Sequence, residues 1–134
     1  MTPLVVDASA LLEYLLGSPA GARIAPLLQS QDADLHAPAL CDVEIGSGLV
    51  RLLARRRIGV QRATELLEDL GDMPLARHGH LSLVPRALAL RENFSIYDGV
   101  YVALAESLGA TLVTADAKLA RAARTHSRVD VQRV

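Results

Sequence analysis

Aromatic side chains make up only 3% of the 134-residue chain, with no Trp and a single Phe. A stacking platform for unpaired bases is therefore poorly supplied, and any contact with nucleic acid has to lean on backbone and shape. Cysteine is just as scarce: Cys41 stands alone, which excludes an internal disulfide framework and fits a reducing cytoplasm. Lysine occurs once, as Lys118, so 13 of the 14 cations are Arg. Arg suits bidentate phosphate contact, but a high-GC genome produces the same bias, and composition is the first explanation. No apolar run approaches the ~20 residues of a membrane helix. The opening MTPLVVDAS has no basic stretch before its apolar residues, so no secretory signal is expected. A formal net charge of −1 gives no whole-surface attraction to a polyanion.

Apolar residues, by contrast, are abundant, at 51% with a mean hydropathy of +0.26. The surplus apolar surface predicts a protein partner. The length suits one domain spanning residues 1–134, able to bury about two-thirds of its unfolded surface. Short continuous apolar runs alternate with helical periodicity. Strands are expected at LVVDA, LHA, MPLAR, TLVTA and VDVQRV, and helices across 9–30, Leu40–Arg57, Val60–Leu70 (closed by Gly71), Leu81–Phe94, Ile96–Leu108 (closed by Gly109) and 117–125. Buried strands separated by helices indicate an α/β fold whose parallel sheet is covered on both faces.

Four acids lie where strand turns into helix or just beyond: Asp7, Glu44, Asp98 and Asp116. In open parallel sheets ligands bind outside the carboxyl ends of the strands. Asp7 and Asp116 fall at that edge, and each also makes a good N-cap, a compatible role. Asp98 sits in Ser95-Ile96-Tyr97-Asp98, a capping-box pattern. Glu44 has no cap role. On a helical wheel it borders an apolar stripe of Leu40, Val43, Ser47, Val50 and Ala54, and a lone helix Glu is more often a solvated or salt-bridged side chain. Glu44, Gly48, Arg51 and Arg55 run along one side of that helix. Small Ser47 and Gly48 allow a metal or sugar-phosphate to approach, and Arg51 and Arg55 are candidate phosphate contacts, whereas Arg56 and Arg57 read as a solvated helix end. Carboxylates gathered in one pocket repel each other, and binding a hard divalent cation relieves that repulsion. Asp7, Asp98 and Asp116 are the expected ligands. Glu44 is expected to orient or deprotonate the attacking water, and Ser9 and Thr114 to orient the acids.

LVVDASALLEYLL, the Glu44 helix, YDGVYVALAESLGATLVTAD and KLARAA together resemble the PIN-domain nucleases, and within them the VapC toxins of toxin–antitoxin pairs. The resemblance covers nearly the whole chain and is most specific over 97–119. It implies a three-layer α/β/α sandwich and an acidic site of Asp7, Glu44, Asp98 and Asp116 holding Mg²⁺ or Mn²⁺. It further implies endoribonuclease activity leaving a 5′-phosphate and a 3′-hydroxyl, a homodimer, and an antitoxin that blocks the site. Ser47 and Gly99 stand where the family often has Asn and Ala. Lys118 stands where some members carry a further acid or amide, which weakens the case for two protein-bound metals. Helices 9–30 and 40–70 are the expected antitoxin groove.

Two other classes compete. A PIN-fold binding module without turnover would not need intact acids, and a phosphoacceptor domain would need a second acid beside Asp7. His36, His78, His80 and His126 read as surface residues, with His78-Gly79-His80 at most an adventitious metal site. Cys41 reads as an inert small hydrophobe. There is no P-loop, no GxGxxG and no G-x-S-x-G elbow.

Overall fold

A computed structural model describes residues 1–134. Five strands form one sheet: β1 (Thr2–Val6), β2 (Ala33–Pro38), β3 (Leu75–His78), β4 (Thr111–Thr114) and β5 (Val131–Arg133). Their order is β3-β2-β1-β4-β5 and every pairing is parallel. Seven helices connect them: α1 (Ala8–Leu16), α2 (Pro19–Leu28), α3 (Leu40–Ala54), α4 (Val60–Asp72), α5 (Val84–Ala89), α6 (Ile96–Leu108) and α7 (Ala117–His126). The chain winds outward from β1 through β2 to β3, then crosses back to β4 and β5. Right-handed crossovers therefore put α1 to α4 on one face and α5 to α7 on the other. The helix pairs that pack together, α1 with α2 and α3, and α5 with α6, agree with this layering. The expected α/β/α sandwich is the observed fold.

The core lies on both sides of the central strands. Leu4, Val5, Val6, Leu112 and Val113 are almost wholly buried, as is the apolar run of α6 from Val100 to Ala105. That continuous burial explains why neither β1 nor α6 shows a clean polar alternation. The α1–α2 hairpin owes its closeness to Gly21, where an added Cβ would lie 2.0 Å from the Glu13 carbonyl oxygen.

Three helices differ from the sequence expectation. The Leu40 helix ends at Ala54, because Arg56 takes a left-handed conformation (φ 55°) and the Arg56 and Arg57 amides turn back to the Leu53 and Leu52 carbonyls. Arg55 to Arg57 thus form an exposed turn. The next helix runs through Gly71 to Asp72. Pro74 ends it by holding Met73 extended. The expected helix Leu81–Phe94 is broken into a 3₁₀ turn (Leu81–Leu83), α5 and a further turn. In that last turn the Arg91 and Asn93 amides bond back three residues, and the chain buries Phe94 before Ser95 caps α6.

The apolar stripe assigned to α3 is also on the wrong side. Val43 and Val50 are 75% and 64% exposed, and the buried face is Cys41, Ile45, Gly48 and Leu49. The wheel cannot choose between two apolar stripes when the deciding feature is close approach. At Gly48 an added Cβ would meet Leu12 Cδ2 at 2.8 Å, so this glycine admits α1 rather than a metal or a sugar-phosphate.

Candidate active site

Winding reverses between β1 and β4, which pair directly in the middle of the sheet. In open α/β sheets the crevice outside the carboxyl ends of two such strands is the ligand position. Asp7 follows β1 without a break, its amide continuing the ladder to the Val113 carbonyl at 3.0 Å. Asp116 lies two residues beyond β4. Asp98 enters from the first turn of α6 and Glu44 from the second turn of α3. All four line one cavity of about 180 Å³, together with Ser9, Leu12, Arg51 and Tyr101.

The two strand-end acids are held by caps. Asp7 caps α1: Oδ1 accepts from the Ala10 amide at 2.9 Å and from Ser9 Oγ at 2.7 Å, while Oδ2 accepts from Thr114 Oγ1 at 2.6 Å. With two lone pairs per oxygen, that leaves one free acceptor site, on Oδ2. Asp116 caps α7 through Oδ1, which accepts from the Lys118 and Leu119 amides, so Oδ2 stays free. Ser9 and Thr114 also fix the loop after β4. Ser9 Oγ accepts from the Ala115 amide at 3.0 Å and Thr114 Oγ1 from the Asp116 amide at 3.0 Å. The orienting role expected of these hydroxyls therefore has a geometry, in addition to the capping by Asp7 itself.

Asp98 departs from the full capping box. Ser95 Oγ accepts from the Asp98 amide at 3.1 Å, but the carboxylate makes no return bond to the Ser95 amide and lines the cavity. Its pKa is pushed up to about 6, first by burial and then by Asp116, Asp7 and Glu44. Burial likewise raises Asp7, against the pull of its three hydrogen bonds, and raises Glu44, against the pull of Tyr101. Tyr101 donates to Glu44 Oε1 at 2.7 Å. None of the four acids has a basic partner within ion-pair distance; the ion pairs lie elsewhere, at Asp34, Asp42, Glu65 and Glu106.

The donor set is oxygen only, and neighbouring acids add to burial in raising Asp98, Asp7 and Glu44, which suits a hard cation. No three His, Cys, Asp or Glu side chains converge tightly enough to enclose an ion. Mg²⁺ does not require that, because it keeps several waters and commonly takes only one or two carboxylates. The residues present fit such an ion best through Asp98 and Asp116, with a single acceptor site from Asp7.

Of the two arginines proposed to contact phosphate, Arg51 lines the cavity and donates to Ser47 Oγ at 3.2 Å, whereas Arg55 sits at the exposed end of α3 and does not reach it. The sequence reading missed Tyr101. Its signal was a spacing of three from Asp98 on the same expected helix, which puts both on one face. Cys41 is buried and its thiol is pushed up to about 12, largely by desolvation, so it is inert as expected. The histidines are not all free surface groups: His36 bonds Asp34 at 2.7 Å through Nε2 and His78 at 2.8 Å through Nδ1. Adjacent strands bring these rings together, which separation along the chain hides.

Comparison with known proteins adds an independent line. Residues 4–125 match the model of the PIN domain. Ribonuclease VapC12 of Mycobacterium tuberculosis is 34% identical over 96% of this chain and 98% of its own. Ribonuclease VapC9 of the same species is 40% identical over 87% of each chain. Among solved structures, the crystal structure of PAE2754 from Pyrobaculum aerophilum superposes with a TM-score of 0.71 at 24% identity, covering 97% of this chain and 83% of that one.

Proposed function

The chain belongs to the PIN-domain family, and from that premise we propose that it is a Mg²⁺-dependent endoribonuclease acting as the toxin of a toxin–antitoxin pair, with Mn²⁺ as an alternative ion. The observation that carries the reading is the cavity at the switch point, where Asp7, Glu44, Asp98 and Asp116 meet with no ion-pair partner on any of them, Arg51 in the same cavity bonding Ser47 instead. The ribonuclease names of relatives matched over nearly their whole length support RNA as the substrate.

Asp98 and Asp116 would hold the ion with Asp7 Oδ2 beside them. The bound ion lowers the pKa of a coordinated water and offsets charge on the phosphoryl oxygens. Glu44, tethered through Oε1, keeps Oε2 free to orient the attacking water and take its proton. The water oxygen bonds to phosphorus as the bond to the 3′ oxygen breaks, and that oxygen takes up a proton from solvent, leaving a 5′-phosphate and a 3′-hydroxyl. Arg51 keeps donors free for a neighbouring phosphate of the RNA backbone.

Partners follow from the exposed apolar surface. Val43 and Val50 on α3 and Val60 on α4 stand in solvent, and covering them fits an antitoxin segment. Leu81, Leu88 and Tyr97, exposed on the other layer, fit a second copy of the chain. No helix is long and apolar enough to cross a membrane, and an RNA substrate implies the cytoplasm.

Induction of the wild type and of Asp98→Asn in a bacterial host, with mapping of new RNA 5′ ends, tests the reading. Discrete cuts and growth arrest from the wild type alone are the expected result. A folded, soluble wild type that leaves RNA untouched would replace the nuclease with a PIN-fold binding module.

A further inference from the structure

We infer that Tyr101 is the positioning residue for Glu44, fixing that carboxylate against the cavity through its hydroxyl. This rests on the ribonuclease reading of the site.

Glu44, unlike Asp7 and Asp116, has no backbone amide on its carboxylate, and its stem is one methylene longer than that of Asp98. Asp7 and Asp116 are tied to helix N-termini and Asp98 begins a helix, but Glu44 projects from the body of α3 on a flexible stem. Such a side chain loses rotamer freedom when it is held. Tyr101 supplies a fixed point. Its ring is buried in the core, the residue being 2% exposed, so the hydroxyl has little freedom. It donates to Glu44 Oε1 at 2.7 Å, the length of a charge-assisted O–H···O⁻ bond.

An ionised carboxylate can only accept, so the phenol is the donor in that bond, and burial, by raising the phenol above its ordinary range, helps keep the proton there. With Oε1 engaged by the phenol, Oε2 has no protein partner and is the freer oxygen for water. The bond also crosses the molecule: α3 and α6 belong to opposite helical layers and meet here, past the carboxyl end of the sheet. Tyr101 stands three residues after Asp98, so one helix sets both a cavity acid and the donor that orients the other.

A purely structural tie between the two helices would use the same hydrogen bond, and a pair of backgrounds separates the two roles. Purified protein is assayed with Mg²⁺ on an RNA that the wild type cuts, as wild type and Tyr101→Phe, each also carrying Glu44→Asp. The shorter acid keeps a carboxylate but withdraws it from the hydroxyl. Expected is a fall in kcat of roughly 10–100-fold for Tyr101→Phe with KM within about twofold, and no further fall when it is added to Glu44→Asp. Wild-type kcat in Tyr101→Phe, or the same fractional loss in both backgrounds, overturns the positioning role while leaving the nuclease intact. No metal-dependent cleavage by the wild type overturns both. If Tyr101→Phe does not fold, 3-fluorotyrosine at 101 keeps the ring and strengthens the donor: a changed kcat at unchanged Tm supports the role, and an unchanged kcat overturns it.

Discussion

The two ends of the sheet treat charge in opposite ways. At the amino end, beyond the C-termini of α6 and α7, lies an open cavity of about 580 Å³ that holds Arg86, Glu106, His126, Arg128 and Asp130. There the signs are mixed, and Arg86 closes on Glu106 with two hydrogen bonds of 2.9 and 3.2 Å. At the carboxyl end the cavity is about a third of that volume, yet it gathers four acids with no ion pair among them. Volume would select the wrong end. Carboxylates without an ion-pair partner, maintained against their own repulsion by caps and buried hydroxyls, favour the other end as the proposed cation site.

Removing one carboxylate from each end separates the two most directly. Asp98→Asn should lower metal-dependent RNA cleavage by about 10³-fold. Glu106→Gln, which opens an exposed pair, should leave cleavage unchanged and cost less than ~1 kcal/mol in urea denaturation. Equal losses at the two ends would erase the distinction.

The next largest effect is on pH dependence. Asp98 is raised to about 6 from 3.8, so the folded state holds its proton between those values while the unfolded state releases it. Stability of the metal-free protein therefore falls as pH rises from about 4 through about 6. Thermal melts in a chelator should show a higher Tm at pH 5 than at pH 7.5, and Asp98→Asn should flatten that slope. Mg²⁺ at ten times its Kd should restore about 1.4 kcal/mol at pH 7.5 and far less at pH 5, where protons compete.

Thr114→Val tests whether the hydroxyls sustain the acidic end. It keeps the shape but removes the 2.6 Å bond to Asp7, and should cost about 1–3 kcal/mol by chemical denaturation. Smallest is Arg51→Ala, which should raise KM for RNA about three- to tenfold at constant kcat, an effect that salt weakens. Arg128→Ala at the opposite end should do neither.

The acids were legible in the sequence because strand-end position and capping chemistry are local. Asp7 and Asp116 each follow a short apolar run, and parallel topology then brings them together. Ile96–Leu108 was legible to the residue because Ser95 and Gly109 punctuate it. What the sequence hid was decided by packing. The face that α3 buries follows from Leu12 closing on Gly48, the break after Ala89 from the need to bury Phe94, and the His36–His78 contact from strand neighbourhood. Tyr101 was given no role from the sequence, and only the position of Glu44, 57 residues away, gives its hydroxyl a purpose.

The bond from Thr114 to Asp7 joins residues 107 positions apart, and it sets an order of events during synthesis. At about 5–20 residues per second, some 5–20 seconds separate the making of the first acid from that of its last supporting hydroxyl. Until β4 leaves the ribosome and inserts beside β1, Asp7 is a helix cap on an incomplete sheet, and Asp116 does not yet exist near it. On the proposed reading as a ribonuclease, the acidic site is thus incomplete while the chain is being made and is completed by the closing of its sheet.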